Sequence, residues 1–450
     1  MQIVSEIFKA YDIRGKVGSE LTAEVAEAVG KALADWLPNA GPVAVGRDMR
    51  PDSAELASAV IRGLQAQGRD VIDIGEVTSD MIYFAVGSLK LAGGAMITAS
   101  HNPGEYNGIK LCKEEAKPIG LDSGLSEIRD NIAADKFAPA TTPAGSVTQR
   151  DIAEDWIQHV LSFVDVDSLK PMHIAVDAGN GMAGKIFPEI EPYVPWEVEE
   201  MYFELDGTFP NHEANPLKFE TLRDLIAKIK ELNLDGGIAF DGDGDRAFLV
   251  DETGTVLPGN VMNAMLAEYF LERFPGSPIL YDLRSSRIVP ETISKHGGTS
   301  VRTRVGHAFI KQVLREQNSP FGGEVSGHFY FRDNFYADSG LIAAVIGLYV
   351  AGLRGQKLSE IRQAYTPYAT LEETNFEIED KSAAFTRLKN AFPGETQDEL
   401  DGLTVTFADG TWFNVRASNT EPVIRLNAET NDQASLDDLV SKLTPLITGA

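Results

Sequence analysis

The segment Met96-Ile97-Thr98-Ala99-Ser100-His101-Asn102-Pro103 marks a point where an apolar run stops and polar residues begin. Residues 94–97 favour a buried strand. The final proline cannot continue a strand ladder, and it biases the residue before it towards an extended backbone. The segment therefore predicts a strand that ends in a loop presenting the hydroxyl of Ser100, with His101 beside it and Lys110 nearby. By itself, the pattern also fits an ordinary polar turn.

The chain around this segment alternates helical and strand-like patterns. Apolar residues recur at helical spacing over 21–36 and 53–67, and short apolar runs at 42–46 and 70–74 predict strands. The alternation restarts near residue 173 and again near residue 261. It is typical of α/β domains with parallel or mixed sheets.

The last part of the chain has a different pattern. From about residue 368, several strand-like runs follow one another, and two helical patterns accompany them. This predicts a small α+β domain with an antiparallel sheet, including a hairpin turn at 408–411. A segment rich in Ala, Pro and Thr at 133–145 predicts a connection between domains. The predicted domains are 1–147, 148–254, 255–367 and 368–450.

Composition limits the classes of protein to consider. A chain of 450 residues with 43% hydrophobic and 24% charged residues is too long for one core and has the composition of a globular protein. The net charge of −27 argues against a nucleic-acid partner. No apolar run has the length of a membrane span, and the first residues lack a signal-peptide layout. The single cysteine, Cys112, favours a reducing compartment, so we expect a cytoplasmic protein without a membrane partner.

The strongest single motif is Asp241-Gly242-Asp243-Gly244-Asp245-Arg246. Three carboxylates this close together repel one another unless a cation joins them, and hard oxygen ligands suit Mg²⁺. A solvated acidic turn is the simpler alternative. An EF-hand loop is excluded because its sixth position needs glycine and is Arg246 here. The flanking runs 237–240 and 247–250 also predict strands rather than helices.

Two further loops carry polar groups suited to a sugar phosphate. Gly323-Glu324-Val325-Ser326-Gly327-His328 offers donors and acceptors for hydroxyl groups, or forms an ordinary β-turn. A hydrolase triad there would need a G-x-S-x-G elbow, which this segment lacks. Arg416-Ala417-Ser418-Asn419-Thr420-Glu421-Pro422, with Arg425 behind it, fits a phosphate cradle or a polar hairpin loop.

Two shorter segments carry weaker signals. Gly306 and His307 begin a predicted helix whose backbone amides can face an anion. Residues 8–15 form a mixed segment before the first helix. Tyr11 and Arg14 in that segment either lie near an anion or belong to an arm on the surface.

Four motifs in this order, TASHNP (98–103), DGDGDR (241–246), GEVSGH (323–328) and RASNTEP (416–422), resemble those of the α-D-phosphohexomutase family. The start KAYDIRG is also similar, and the resemblance covers essentially the whole chain. It implies an α/β protein of four domains around a central cleft. Three of these are related α/β domains with mixed sheets, and the fourth is a smaller C-terminal α+β domain.

The resemblance also implies roles for individual residues. Ser100 resembles the phosphoserine that donates the phosphoryl group, and its phosphate completes an Mg²⁺ site with Asp241, Asp243 and Asp245. Glu324 and Ser326 resemble groups that bind sugar hydroxyls, with His328 supporting their loop. The residues that resemble a cradle for the non-reacting phosphate are Arg416, Ser418, Asn419, Thr420 and Arg425. The residues that resemble groups lining the cleft or assisting proton transfer are Tyr11, Arg14, His101, Lys110, Arg246 and His307.

The implied reaction is reversible phosphoryl transfer between C1 and C6 of a hexose phosphate. It proceeds through a hexose 1,6-bisphosphate, which also serves as the activator. Glucosamine-specific relatives usually carry Gln at the position of Val325 and often Ser at that of Thr98, so mannose and glucose phosphates are favoured as substrates. The alternatives are a phosphoglucosamine mutase, an Mg²⁺-dependent sugar phosphatase and a non-catalytic sugar-phosphate-binding protein. We expect a monomer or a homodimer.

Overall fold

The computed structural model describes residues 5–417 and 423–449, and within them the side chains of all residues except His307 and Glu372. The chain forms two compact units. The first comprises Met1–Leu257 and Ser326–Ser359, and the second comprises Pro258–Val325 and Glu360–Ala450. Each unit is described by itself below.

The N-terminal part of the first unit contains a seven-stranded mixed sheet. Its strands are β1 (Ile13–Lys16), β2 (Val43–Arg47), β3 (Val71–Glu76), β4 (Gly93–Ile97), β5 (Tyr106–Lys113), β6 (Lys117–Pro118) and β7 (Val147–Gln149). Its helices are α1 (Ala23–Trp36), α2 (Ser53–Ala66), α3 (Ser79–Ser88) and α4 (Leu125–Ala133). The strand order is β1-β5-β4-β2-β3-β7, with β6 paired to β5. Strands β4, β2, β3 and β7 run parallel, whereas β1 and β5 are antiparallel to their neighbours.

Strand β5 brings the N-terminal segment and the Ser100 loop together. It pairs with β4, where Lys110 lies opposite Met96, and with β1, where Gly108 lies opposite Arg14. A Cβ atom at Gly108 would lie 2.5 Å from the Ile13 carbonyl oxygen and 2.7 Å from that of Thr98, so only glycine permits this approach. The sequence pattern predicted neither β1 nor β5. The polar residues and the glycine of β5 interrupt the apolar pattern by which strands are recognised.

The second sheet, also in the first unit, has four strands. They are β8 (Met172–Asp177), β9 (Trp196–Met201), β10 (Gly236–Phe240) and β11 (Ala247–Asp251). The accompanying helices are α5 (Ala153–Leu161), α6 (Ala183–Ile190) and α7 (Arg223–Leu232). The order is β11-β10-β8-β9, and β10 and β11 are antiparallel. The acidic motif at 241–246 therefore connects two strands, as the flanking sequence predicts, and not two helices.

A third group of elements follows. In the second unit, β12 (Pro278–Asp282) lies between β13 (Thr299–Thr303) and β14 (Phe321–Gly323), and all three strands are parallel. In the first unit, β15 (Phe329–Phe331) pairs antiparallel with β16 (Ala337–Asp338). The helices of this region are α8 (Gly259–Arg273), α9 (Ile288–Lys295), α10 (His307–Gln317), α11 (Gly340–Arg354) and α12 (Leu358–Ala364). Within the described residues no single helix is long and apolar enough to cross a membrane, and only the bent pair of α11 and α12 reaches that length and hydropathy together.

The C-terminal sheet lies in the second unit and is wholly antiparallel. Its strands are β17 (Ala369–Glu377), β18 (Thr396–Asp398), β19 (Leu403–Thr406), β20 (Trp412–Ala417) and β21 (Val423–Thr430). The order is β17-β21-β20-β19-β18, and helices α13 (Lys381–Ala391) and α14 (Gln433–Thr448) complete the core. A register shift interrupts the pairing of β17 with β21 between Leu371 and Thr374.

The predicted fold class is confirmed: α/β regions with mixed sheets precede a C-terminal α+β region. Residues 134–146 contain neither helix nor strand and form a connection, as the composition predicts. Strand β7 begins at 147 and joins the first sheet. The domain limits 147, 254 and 367 stay predictions.

Candidate active site

Ser100 lies in the loop after β4, and its hydroxyl is between a carboxylate and an imidazole. Its Oγ donates a hydrogen bond to Asp241 Oδ2 at 3.1 Å and lies 3.2 Å from His101 Nδ1. The backbone N–H of Ser100 donates to Thr98 Oγ1 at 2.9 Å. Ser100 is 5% exposed and has a φ of +51°. This backbone conformation is unfavourable for a non-glycine residue and occurs mostly where the surrounding structure imposes it at a functional site.

Arg50 holds this loop in place. Its guanidinium group donates to four backbone carbonyl oxygens, namely those of Ser100 (2.8 Å), Asn102 (2.6 Å), Pro103 (2.9 Å) and Tyr106 (2.9 Å). The Arg50 side chain is fully buried and pairs with Asp48 at 3.2 Å. Sequence reasoning missed Arg50, although a signal exists. Asp48 and Arg50 follow β2, which is parallel to β4, so residues after these two strands meet at one edge of the sheet.

The three aspartates of the acidic motif converge. Asp241, Asp243 and Asp245 are buried, and each offers an oxygen atom that lies within 4.8 Å of those of the other two. Gly244, with a φ of +74°, supplies the left-handed turn between them, and a Cβ atom there would lie 2.7 Å from Thr78 Cγ2. The alternation of aspartate and glycine therefore lets one short loop gather three carboxylates.

Two basic side chains offset part of this negative charge. Lys110 Nζ donates to Asp243 Oδ2 at 2.7 Å and to Asp245 Oδ2 at 2.6 Å. Arg246 Nε donates to Asp241 Oδ2 at 2.9 Å, and the backbone N–H of Arg246 donates to Asp241 Oδ1 at 3.1 Å. Three carboxyl groups thus face two cations, so the cluster keeps one negative charge when all three aspartates are ionised.

The pKa values follow from burial and from these partners. Burial raises the pKa of Asp241 to about 7, although Arg246 opposes the shift. Burial alone would raise the pKa of Asp245, but the positive charges of Lys110 and His328 outweigh it and lower that pKa. Burial alone would lower the pKa of Lys110, but Asp243 and Asp245 outweigh it and raise that pKa well above its ordinary value. Lys110 therefore stays charged beside the aspartates.

The residues present fit a divalent cation. Asp243 Oδ1 and Asp245 Oδ1 are buried and have no hydrogen-bond partner within the part of the chain that the structure describes. A buried carboxylate oxygen without a partner is costly, and a metal ion removes that cost. An all-carboxylate donor set favours a hard ion such as Mg²⁺ over softer metals.

His328 lies next to the same cluster, in the first unit. Its Nδ1 is 2.8 Å from Asp338 Oδ2 and 4.0 Å from Asp245 Oδ1. Burial alone would lower the pKa of His328, but the bond to Asp338 and the charge of Asp245 outweigh it and raise that pKa. Asp338 was not identified from the sequence. It orients the imidazole towards the aspartates.

The other residues of this group surround Ser100. Burial, together with the positive charges of Arg246 and Arg14, lowers the pKa of His101 to about 2, so this imidazole is neutral. Arg14 Nη1 donates to Asn102 Oδ1 at 2.9 Å. Tyr11 is half-buried and lies just before β1.

A second group of predicted residues lies mainly in the second unit. Glu324 follows β14, is 3% exposed, and accepts a hydrogen bond from the Gly306 N–H at 3.2 Å. Arg284 Nη2 lies 3.7 Å from Glu324 Oε2. Ser326 belongs to the first unit and is half-buried in a turn. His307 begins α10, and its side chain lies outside the described part.

Arg416 and Arg425 lie opposite each other on β20 and β21. Glu373, in the irregular part of β17, bridges them: its Oε2 accepts from Arg416 Nη2 at 2.9 Å, and its Oε1 lies 3.3 Å from Arg425 Nη1. Arg284 Nη1 lies 3.8 Å from Glu373 Oε2. Glu373 and Arg284 were not identified from the sequence. Ser418, Asn419 and Thr420 fall outside the described residues.

The structure therefore brings all the predicted catalytic and metal-binding residues together in the first unit, with His328, a predicted substrate-binding residue, beside them. They are Ser100, His101, Lys110, Asp241, Asp243, Asp245, Arg246 and His328. The second unit holds Gly306 with Glu324, and Arg416 with Arg425. The individual roles of all these residues stay predictions.

Sequence models of four domains match the chain, in the expected order. The alpha/beta/alpha domains I, II and III of phosphoglucomutase/phosphomannomutase match residues 5–139, 154–254 and 258–368. The C-terminal domain of the same group matches residues 373–445.

Known proteins are similar over nearly the full length. A protein of Xanthomonas campestris pv. campestris (strain B100) named "Phosphohexose mutases" is 42% identical over 449 residues, covering 98% of this chain and 99% of that protein. A "Phosphomannomutase" of Salmonella montevideo is 40% identical over 445 residues, covering 97% of each chain. The crystal structure of a phosphoglucomutase/phosphomannomutase family protein from Burkholderia thailandensis superposes with a TM-score of 0.91 at 31% identity, covering 99% of this chain and 98% of that one.

Proposed function

Because the chain belongs to the phosphoglucomutase/phosphomannomutase family, we propose that it moves a phosphoryl group between C1 and C6 of hexose phosphates through Ser100. The chain is a phosphohexose mutase, an enzyme of the isomerase class. The observation that supports this use of Ser100 is its place in the acidic cluster, with its Oγ 3.1 Å from Asp241 Oδ2. A hydroxyl held there suits a phosphoryl carrier whose charge is offset nearby.

The first half-reaction is transfer from phosphorylated Ser100 to the free hydroxyl of a hexose phosphate. The bond between phosphorus and Ser100 Oγ breaks, and a bond between phosphorus and the sugar oxygen forms. The sugar hydroxyl loses one proton and Ser100 Oγ gains one, which restores the serine hydroxyl. The product is a hexose 1,6-bisphosphate. Such a transfer depends on positioning and on stabilising charge rather than on covalent chemistry supplied by the protein.

Mg²⁺ would be held by Asp241, Asp243 and Asp245, and when bound it would supply positive charge to offset that of the transferring phosphoryl group. Lys110 and Arg246 hold these carboxylates in place and add two positive charges beside Ser100. His101 Nδ1, at 3.2 Å from Ser100 Oγ, is placed to exchange a proton with that oxygen. We assign these three basic residues, with Ser100, to catalysis.

The second half-reaction requires the bisphosphate to turn over, so that its other phosphate meets Ser100. In each orientation the phosphate that does not react needs a binding site of its own. We assign this site to Arg416, Ser418, Asn419, Thr420 and Arg425. Two guanidinium groups on directly paired strand positions support the assignment, because they match phosphate oxygens. Glu324 and Ser326, supported by His328, are assigned to the sugar hydroxyls, with Gly306, His307, Tyr11 and Arg14 lining the substrate site.

We further propose mannose and glucose phosphates as the substrates, Mg²⁺ as the metal, and a hexose 1,6-bisphosphate as the activator. Val325 and Thr98 support this choice over glucosamine phosphate, since glucosamine-specific relatives usually carry Gln at the first position and often Ser at the second. We propose a cytoplasmic protein, monomeric or homodimeric, that acts without a nucleic acid or a membrane.

The test is a substrate panel containing Mg²⁺ and a trace of hexose 1,6-bisphosphate. Mannose, glucose and glucosamine 1-phosphates are compared, with the Ser100→Ala variant alongside. We expect rapid conversion of the mannose and glucose esters to 6-phosphates, and a loss of more than about a thousandfold in Ser100→Ala. Phosphate release without isomerisation would instead identify a phosphatase, and full activity of Ser100→Ala would exclude the phosphoserine mechanism.

A further inference from the structure

The arginine cluster of the second unit contains a carboxylate with no part in the proposed function. Arg416 and Arg425 occupy directly paired positions of two antiparallel strands, so their side chains share one face. Like charges placed this way repel. Glu373 lies in the irregular part of β17 between Leu371 and Thr374, and its contacts place its carboxylate between the two arginines.

The contacts of Glu373 reach every arginine of the cluster. One oxygen accepts from Arg416 at 2.9 Å, the other lies 3.3 Å from Arg425, and Arg284 is 3.8 Å away. We propose that Glu373 is the internal counter-anion of the phosphate-binding arginines, and that the non-reacting phosphate of the substrate displaces it from Arg416 and Arg425. The proposal rests on the assignment of these arginines in the proposed function.

Displacement is favoured over permanent pairing by the surroundings of Glu373. Its side chain is 28% exposed, so the carboxylate can return to water when it leaves the arginines, at far less cost than a buried charge. Arg416 keeps donor capacity, because its Nε is buried without a hydrogen-bond partner within the described residues. A guanidinium fork that binds a carboxylate also matches a phosphate.

The proposed reaction explains why a carboxylate next to the phosphate-binding arginines would be useful. A bisphosphate that must turn over has to leave the arginines between the two transfers. Without a competing carboxylate, Arg416 and Arg425 would bind a dianion more tightly and release it more slowly. Glu373 therefore acts through the arginines as a positioning residue: it keeps them together and weakens their hold on the phosphate.

The test compares Glu373→Gln with Glu377→Gln, which removes the same charge from an exposed position of the same strand. Inorganic phosphate is titrated into each full-length protein by calorimetry at low salt. We expect the Kd of Glu373→Gln to fall about fivefold, the effect of removing one unit charge about 4 Å from the ligand in aqueous surroundings. In steady-state assays with mannose 1-phosphate we expect both KM and kcat to fall, a split that general structural damage does not produce.

A Kd in Glu373→Gln equal to or higher than that of Glu377→Gln would overturn the proposal, because the carboxylate would then support phosphate binding. If Glu373→Gln does not fold, Glu373→Ser provides the same comparison. Absence of isomerase activity in the unmodified protein would refute the proposed function. The phosphate titration would still decide whether Glu373 competes for the arginines.

Discussion

Two charged clusters, one in each unit, are built with opposite polarity. In the first unit, three carboxylates are partly offset by Lys110 and Arg246. In the second unit, the guanidinium groups of Arg416 and Arg425 are partly offset by Glu373, whereas Arg284 is already paired with Asp282 at 2.9 Å. Each cluster keeps a surplus of the charge opposite to its proposed ligand. The comparison shows how a site can hold like charges together without its ligand and still bind that ligand, because an internal counter-ion reduces the repulsion without cancelling the charge.

Burial distinguishes the two clusters. Asp241 and Asp243 are 0% exposed, whereas the Glu373 side chain is 28% exposed. Breaking a buried charge pair leaves an uncompensated charge and costs several kcal/mol, while an exposed pair contributes little. We therefore expect substitutions in the first cluster to have larger effects than substitutions in the second.

The largest effect is expected from Asp243→Asn. The amide keeps the shape of the side chain but removes one charge from the proposed metal site, so Mg²⁺ affinity falls. The value of kcat is expected to drop by about a thousandfold, equivalent to about 4 kcal/mol in the barrier. The measurement is the Mg²⁺ dependence of kcat, combined with a calorimetric Mg²⁺ titration.

The control is Asp130→Asn, which changes a side chain that is 68% exposed on α4. It is expected to leave the Mg²⁺ titration unchanged. Normal Mg²⁺ affinity in Asp243→Asn would show that the aspartates pair with Lys110 and Arg246 and do not bind the metal. The first cluster would then have no ligand of opposite charge to compare with that of the second.

The next largest effect is expected from loss of the hydrogen bonds between Arg50 and the Ser100 loop. Arg50→Lys keeps a positive charge beside Asp48 but loses the planar fork that reaches four carbonyl oxygens. The free energy of unfolding is expected to fall by about 3 kcal/mol, since two or three buried hydrogen bonds are lost. Urea unfolding measures it.

Arg62→Lys is the matched control, because Arg62 is 53% exposed and lies 3.4 Å from Glu27. A change within about 0.5 kcal/mol is expected there. Equal stability of the Arg50 and Arg62 variants would mean that the Ser100 loop keeps its conformation without the guanidinium fork.

A smaller effect is expected in the second cluster. Arg416→Lys keeps the charge but not the fork geometry, so KM for mannose 1-phosphate should rise about tenfold with little change in kcat. Steady-state kinetics measure the split, and Arg129→Lys on α4 is the control. A fall in kcat at constant KM would instead place Arg416 in the chemical step and remove the contrast between the clusters.

The sequence predicted the aspartates with their counter-ions Lys110 and Arg246, and also Arg416, but it missed Arg50 and Glu373. Asp241, Asp243, Asp245 and Arg416 stand in short contiguous motifs, so their residue types alone suggested a chemistry. Arg50 and Glu373 act through the pairing of distant segments. The fork of Arg50 reaches carbonyls at 100, 102, 103 and 106, and Glu373 reaches Arg416 only because β17, β21 and β20 are neighbours.

The fold shows the same limit. Strand β4 was predicted because residues 94–97 are apolar or small, and the structure shows all of Gly93–Ile97 buried. Strand β5 was missed because it contains Asn107, Gly108 and Lys110, each needed by a neighbour. The Asn107 amide donates to Ser53 Oγ at 2.9 Å, and Lys110 donates to Asp243. Gly108 has no side chain, which lets the backbones of Ile13 and Thr98 approach it closely. Tertiary contacts, rather than local propensity, select these residues, so no periodic pattern reveals the strand.

The smallest effect is expected from His212→Gln, which tests the effect of a partner charge in a single buried pair outside the two clusters. His212 Nε2 lies 3.0 Å from Asp177 Oδ2 in the first unit, apart from the aspartate cluster. Burial alone would lower the pKa of His212, but the bond to Asp177 outweighs it and raises that pKa above the ordinary value.

A raised pKa in the folded state means that the protonated pair stabilises the fold below about pH 6.5, and that this contribution is lost as the pH rises through the folded-state pKa. His212→Gln should therefore lower the free energy of unfolding by on the order of 1 kcal/mol more at pH 5.5 than at pH 8.5, as measured by urea unfolding at both pH values. His173→Gln, which changes a more exposed histidine of the same unit, is the control substitution. A difference of the opposite sign for His212→Gln would mean that burial outweighs the partner carboxylate. An internal partner would then be too weak to keep a buried side chain ionised even in a single pair. The two larger clusters would in that case need their ligands to keep their like-charged side chains together.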